Sequence, residues 1–227
     1  MPHGAMARPI GSLLFFLSLA ALASAPARAD EPPLGSIRIE APEGDFRAEE
    51  FRRNVMAGLR VMKDRSPHLA RLLRAAQQAP APITVHPMID ETGPHLAGDR
   101  YRPHARVAGR PSVARDGRVG FPAAIFLTPG MVNPHWIQYK RGLLPHELLH
   151  GVDIAHARMP RDRRLVERRA MFVENIWRDL HGWRLAEHYT DQTLDLFETQ
   201  EYQRAKAHDA IARCMDVLLS VSSFACP

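Results

Sequence analysis

The stretch Leu143-Leu144-Pro145-His146-Glu147-Leu148-Leu149-His150 decides how this chain is read. It carries the spacing HExxH. On a helix, residues four apart lie on one face, one turn from each other. His146 and His150 can then offer ring nitrogens to a single zinc ion at about 2.0–2.1 Å. Glu147 projects beside the first ligand, where its carboxylate can take a proton from a water at the metal. Leu148 and Leu149 point the other way and bury the back of the helix. Pro145 falls in the first turn, where its missing N–H costs little. The competing reading is a surface helix with two incidental histidines.

A catalytic zinc site takes a third protein ligand and keeps one position open for water. Three residues downstream are candidates. His156 follows His150 by six, the spacing of HExxHxxGxxH, but Asp153 stands where that pattern needs its turning glycine. If the helix continues past Gly151, His156 is about 240° around from His150. Glu167 and Glu174 lie on the next predicted helix. In an antiparallel helix pair, residues level with each other are equidistant from the turn. The ligand pair centres on Leu148, so Glu174 places the turn beside Pro160, where the sequence breaks. Glu167 places it near residue 157 or 158, still inside the first predicted helix. Hairpin geometry therefore favours Glu174, with Ala170, Val173 and Trp177 around it on an inward face.

Other residues support the same reading. Asp153 lies nearly on the face of His150 and can orient a ligating histidine or cap a neighbouring helix. Arg178 follows Glu174 by one turn and can hold its carboxylate. Tyr189 and His188 are candidate donors to a developing oxyanion. Arg161, Arg163, Arg164, Arg168 and Arg169 read either as a patch for acidic substrate segments or, with Asp162 and Glu167 interleaved, as a solvated face; the second reading is preferred. Trp177 and Trp183 read as core, and His135 and His181 have no ligand spacing.

The run His146-Glu147-Leu148-Leu149-His150, then Glu174-Asn175-Ile176-Trp177-Arg178, then Gly182, Arg184 and Tyr189, resembles the bacterial effector zinc metallopeptidases of the NleD kind. The likeness spans roughly residues 120–190. It implies a zincin-like metallopeptidase fold of gluzincin type and a protein-cleaving activity. A looser likeness around His146–Asp153 to gluzincins of the lethal-factor type also puts the third ligand on a later helix.

The rest of the chain frames this segment. Its 227 residues are 45% hydrophobic, 24% charged and 7% aromatic, which excludes collagen, a disulfide-dense miniprotein and a mainly disordered chain. Arg8, an apolar run from Ile10 to Ala25, and Ala27-Arg28-Ala29 make residues 1–29 a secretory signal peptide. The run is too short for a comfortable membrane span. Its removal takes away two arginines and no acid, so the mild net charge of +5 falls further, which argues against nucleic acid as a partner. Export to the periplasm or beyond makes a disulfide between Cys214 and Cys226 plausible chemistry.

Helical periodicity marks 46–62, a short helix after Ser66-Pro67, then 143–157, 162–189 with a disturbance at Gly182, and 194–221. Strands are predicted at 83–89 and 121–127, and over 90–120 a long loop with room for a ragged hairpin. The expectation is a single α+β domain over 30–227: a zinc metalloendopeptidase with Zn2+ on His146, His150 and Glu174, Glu147 as general base, and a peptide lying along strand 121–127 as a sheet edge. The alternatives are a metzincin-type protease using His156, an exported zinc-binding protein without turnover, and an interaction protein whose helix pair is only structural. The substrate is a protein or peptide; oligomeric state is not legible.

Overall fold

A computed structural model describes residues 34–40, 46–88, 104–127, 143–189, 194, 196–221, 224 and 226. The architecture is mixed α+β. In chain order it runs β1 (Ile37–Ile39), α1 (Phe46–Arg65), α2 (Pro67–Gln77), β2 (Ile83–Pro87), β3 (His104–Val107), β4 (Ser112–Val113), β5 (Val119–Gly120), β6 (Ala123–Leu127), α3 (Leu143–Ala155), α4 (Arg163–Leu180), β7 (His188–Tyr189), β8 (Phe197–Glu198), α5 (Glu201–Ala207) and α6 (Ile211–Ser220). The signal-peptide expectation for residues 1–29 and the reading of His135 fall outside the described residues.

The main sheet has the order β1-β2-β6-β3. β1, β2 and β6 are parallel, and β3 runs antiparallel to β6 with Ala105 opposite Ile125. Alternation in β2 buries Ile83 and Val85, and the partners Ala123, Ile125 and Leu127 in β6 are buried with them. Against this face lies α3. A Cβ on Gly151 would come within 2.8 Å of Ile125 Cδ1 and 3.1 Å of Ile83 Cγ2, so glycine lets the helix backbone approach the strands closely. Leu148, Leu149 and Val152 of α3 join Leu69, Leu72 and Leu73 of α2 in one core that also holds Ala170, Phe172 and Val173 of α4. Burial of this apolar surface is the main stabilising term, on the order of 25 cal/mol per Å².

Several boundaries differ from the sequence reading. Strand 121–127 is not a sheet edge: β6 is paired on both sides, by β2 and β3. Among the described strands the edges are β1 and β3, and β3 comes from a region read as loop. The helix predicted over 162–189 ends at Leu180, and the one predicted over 194–221 is two helices, α5 and α6, preceded by the β7–β8 hairpin. Cys214 and Cys226 form a disulfide that ties the C-terminal residues to α6. No helix among the described residues is long and apolar enough to cross a membrane.

Candidate metal centre

The centre is built by α3 and α4 packing side by side. Every α3 residue from Leu144 to Ala155 is buried. The helix therefore presents its polar residues inside the protein, where each needs a partner. His146 and Glu147 are 4% exposed and His150 is 7% exposed. The two imidazoles meet edge to face, with centroids 5.0 Å apart.

Glu167, not Glu174, completes the group. Glu167 Oε2 lies 3.4 Å from His146 Nε2 and 3.7 Å from His150 Nε2. His146, His150 and Glu167 thus form a set that could hold a metal ion. Atoms bound tetrahedrally at about 2.1 Å stand roughly 3.4 Å apart, so this spacing suits one small ion. Glu147 Oε2 and Glu167 Oε2 are buried without a hydrogen-bond partner among the described residues, as unsatisfied groups awaiting a cation or water would be. Two nitrogens and one oxygen, with room for a fourth ligand, are a donor set that zinc accepts.

Glu174 stands behind the centre. Its Oε2 lies 3.0 Å from His146 Nδ1, the nitrogen on the far side of the ring. A carboxylate only accepts, so Nδ1–H donates to Glu174, which leaves Nε2 as the nitrogen that a metal shared with Glu167 and His150 would take. Arg178 Nε in turn donates to Glu174 Oε1 at 2.7 Å. The expected hairpin register does not hold because α3 ends at Ala155 and α4 begins at Arg163, which centres the turn near residue 159. The position level with Leu148 is then near residue 170, and Glu167 and Glu174 flank it by about one turn each.

Charge follows from this arrangement. Burial resists ionising His146, but Glu167 and Glu174 outweigh it and push its pKa up to about 10. Burial works against the Glu167 carboxylate too, yet His146 and His150 hold its pKa well below the usual range. Glu174 is lowered against its burial by His146 and Arg178. Burial pushes Glu147 upward. Two ionised carboxylates thus grip one proton on His146, in the place where a divalent cation would serve the same electrostatic purpose.

A cavity of about 510 Å³ opens on these residues. Its walls include His104 and Ala105 of β3, Met159, Pro160 and Arg161 of the α3–α4 connection, and Tyr189. The Tyr189 ring lies 6.4 Å from the His146 ring and nearly parallel to it. Asn175, fully buried in α4, donates to the Ala186 carbonyl and accepts from the Ala186 N–H. It thereby fixes the segment that leads into Tyr189.

The remaining candidates lie elsewhere. His156 does not join the centre: its Nε2 lies 3.0 Å from the Ala75 carbonyl of α2. Its N–H still bonds Val152 O in a helical turn, which carries the ring away from His150. This removes the HExxHxxGxxH arrangement. Asp153 orients no histidine; its carboxylate binds Arg158 Nε at 3.0 Å and Arg169 Nη2 at 2.8 Å. Arg169 therefore belongs to the interior and not to a surface patch. Sequence reasoning missed Arg169, Asn175 and His104. Arg169 and Asn175 carried a signal, since both lie among the buried apolar positions of α4. His104 sat in a stretch without periodicity.

Comparison with protein-family models, curated proteins and solved structures yields no match to this chain.

Proposed function

We propose that this protein is a zinc-dependent metallopeptidase with a zincin-like fold, related to the effector metallopeptidases it resembles, and that residues 1–29 direct its export. The observation that carries the reading is His146 Nε2, His150 Nε2 and Glu167 Oε2 gathered within ligand reach at a cavity, with the unsatisfied Glu147 carboxylate beside them. When bound, zinc supplies a Lewis acid that lowers the pKa of a water from 15.7 to about 7 and polarises a carbonyl.

The chain's own residues supply the rest. Glu147 takes the proton of the attacking water on Oε2 and passes it to the departing amine nitrogen. Burial raises its pKa, which brings the carboxyl closer to the range where it can both accept and return a proton. The Tyr189 hydroxyl, on the cavity wall near His146, donates to the oxyanion as it develops. Glu174 and Arg178 hold the His146 tautomer. Among the described strands β3 pairs only with β6, so its other edge is available for a substrate strand to add by main-chain hydrogen bonds.

Replacement of Glu147 by Gln tests this reading. With one equivalent of zinc retained by elemental analysis, hydrolysis of peptides should fall by about 10²–10⁴-fold. A Glu147→Gln protein that cleaves as well as the wild type contradicts the mechanism. A wild-type protein that holds zinc and cleaves nothing is instead a metal-binding protein.

A further inference from the structure

Among the large apolar side chains left exposed on the described surface, Val107, Val113 and Val119 fall in one short stretch. β4 and β5 pair antiparallel, with Val113 opposite Val119 and Ser112 opposite Gly120. Opposed residues point to the same face of a ribbon, and neighbours along a strand point to opposite faces. Gly120 shows which face is which. It is buried, and a Cβ there would run into the Ala155 carbonyl at the end of α3 and come within 2.9 Å of Pro80 Cγ. The Ser112–Gly120 face therefore lies against the body of the protein. The valine pair points away from it, with Val113 69% and Val119 47% exposed. The turn beyond the pair, Arg115-Asp116-Gly117, is closed by the Ala114 N–H on the Arg118 carbonyl at 2.8 Å and the Gly117 N–H on the Ala114 carbonyl at 2.9 Å. The same stretch is basic. Residues 104–120 carry Arg106, Arg110, Arg115 and Arg118 against a single acid, Asp116. Asp116 is taken by Arg118, whose Nε donates to its Oδ2 at 2.7 Å. Arg110 and Arg115 are exposed and form no ion pair among the described residues.

We propose that the β4–β5 hairpin docks this protein on an anionic lipid surface, with Val113 and Val119 entering the interface and Arg110 and Arg115 meeting headgroup phosphates. A charged bilayer accepts this combination: apolar side chains sink to the boundary of headgroups and acyl chains, and each arginine near the surface adds attraction. A stable protein partner needs roughly 800 Å² on each side, of which two valines supply a small part. A nucleic acid would use the arginines and leave the valines in water. The hairpin forms a two-stranded sheet of its own, apart from the sheet β1-β2-β6-β3. Docking through it leaves the centre between α3 and α4 as it is, so the inference does not rest on the peptidase reading.

The test puts one dye at the tip of the hairpin. Asp116→Cys gives a single free thiol on the full chain, because Cys214 and Cys226 are bonded to each other, and it is labelled with a polarity-sensitive fluorophore. Vesicles of phosphatidylcholine with roughly 30% phosphatidylglycerol should shift the emission to the blue, and vesicles of phosphatidylcholine alone should not. The affinity for the charged vesicles should fall as salt rises. On the same labelled chain V113S/V119S should weaken it by about fivefold or more, and R110Q/R115Q by about tenfold. All four side chains are exposed, so melting temperatures should not change. A dye that stays in water while the chain sediments with the vesicles assigns the attachment to another segment, residues 1–29 included, and overturns the proposal. An equal response to neutral vesicles overturns it too, as does an affinity that either pair of substitutions leaves unchanged. A blue shift that grows with protein concentration in the absence of lipid makes the hairpin a contact between copies of the chain and also overturns it.

Discussion

Glu167 and Glu174 are the same residue type two turns apart on α4, and they differ because they meet opposite nitrogens of His146. Glu167 approaches Nε2, on the side shared with His150, and Glu174 approaches Nδ1. In the proposed centre the first is a ligand and the second orients one. Glu167→Ala should therefore abolish stoichiometric zinc binding, measured by competition with a chelator. Glu174→Gln, which keeps the size but weakens the hold on Nδ1–H, should cost about 10–100-fold in zinc affinity. Equal losses in the two variants would contradict the division of roles. The metal-free protein should also show a specific pH dependence. The folded pKa of His146 is about 10 against an ordinary 6.5, so the folded state binds more protons between those values. Its contribution to stability is fully present below pH 6.5 and is lost as pH rises through about 10. Melting temperatures after chelation should fall across that window, and zinc should suppress the fall. A flat profile without metal would contradict the paired carboxylates.

At the scale of elements, α3, α4 and α5 end by one device. After α4, Gly182 adopts φ +64°, its N–H bonds Asp179 O at 3.0 Å, and the Trp183 N–H bonds Arg178 O at 2.8 Å. This Schellman closure satisfies the last carbonyls of the helix and turns the chain toward the β7–β8 hairpin. Glycine is the residue that favours this conformation, so the stop was legible, although apolar Trp183 and Leu185 continue the helical pattern and masked it. The other two closures were hidden, because Ala157 at φ 53° and Asp209 at φ 49° hold the same position. Their bonds run from Arg158 N to Asp153 O and from Ala210 N to Ala205 O, at 2.8 and 2.7 Å. Alanine gives no signal of a positive φ, and aspartate gives only a weak one. The early end of α3 at Ala155 is what moved the level position on α4 and put Glu167 at the centre. Ala157→Gly should relieve the left-handed strain and stabilise the protein by about 1 kcal/mol in chemical unfolding. Destabilisation in that variant would show that the turn is not built this way.

Across the whole molecule, one buried ionic cluster joins the centre's two helices to the C-terminus. Arg169 is 0% exposed and donates to Asp153, to Leu218 O and to Val221 O. Arg158 adds bonds to Asp153 and to Leu219 O. The final carbonyls of α6, which lack helical partners, are met by guanidinium donors. The disulfide between Cys214 and Cys226 secures the same end of the chain. Asp153→Asn would leave two arginines facing each other in the interior, at a cost of about 3–5 kcal/mol in unfolding free energy. A loss below about 1 kcal/mol would deny the cluster its role.

The sequence revealed the α3 motif, the mixed class and the buried β2 and β6 because each rests on local periodicity. It concealed the edge strand β3, the Asp153–Arg169 pair and the choice of carboxylate because those depend on contacts between distant segments. The central claim is a divalent ion on His146, His150 and Glu167. Anomalous diffraction at the zinc edge from crystals of zinc-loaded protein tests it most directly. One peak is expected about 2.0–2.2 Å from both Nε2 atoms and the Glu167 carboxylate, with Glu174 still on His146 Nδ1. A peak held by Glu174 or His156, or no peak between α3 and α4, would contradict it.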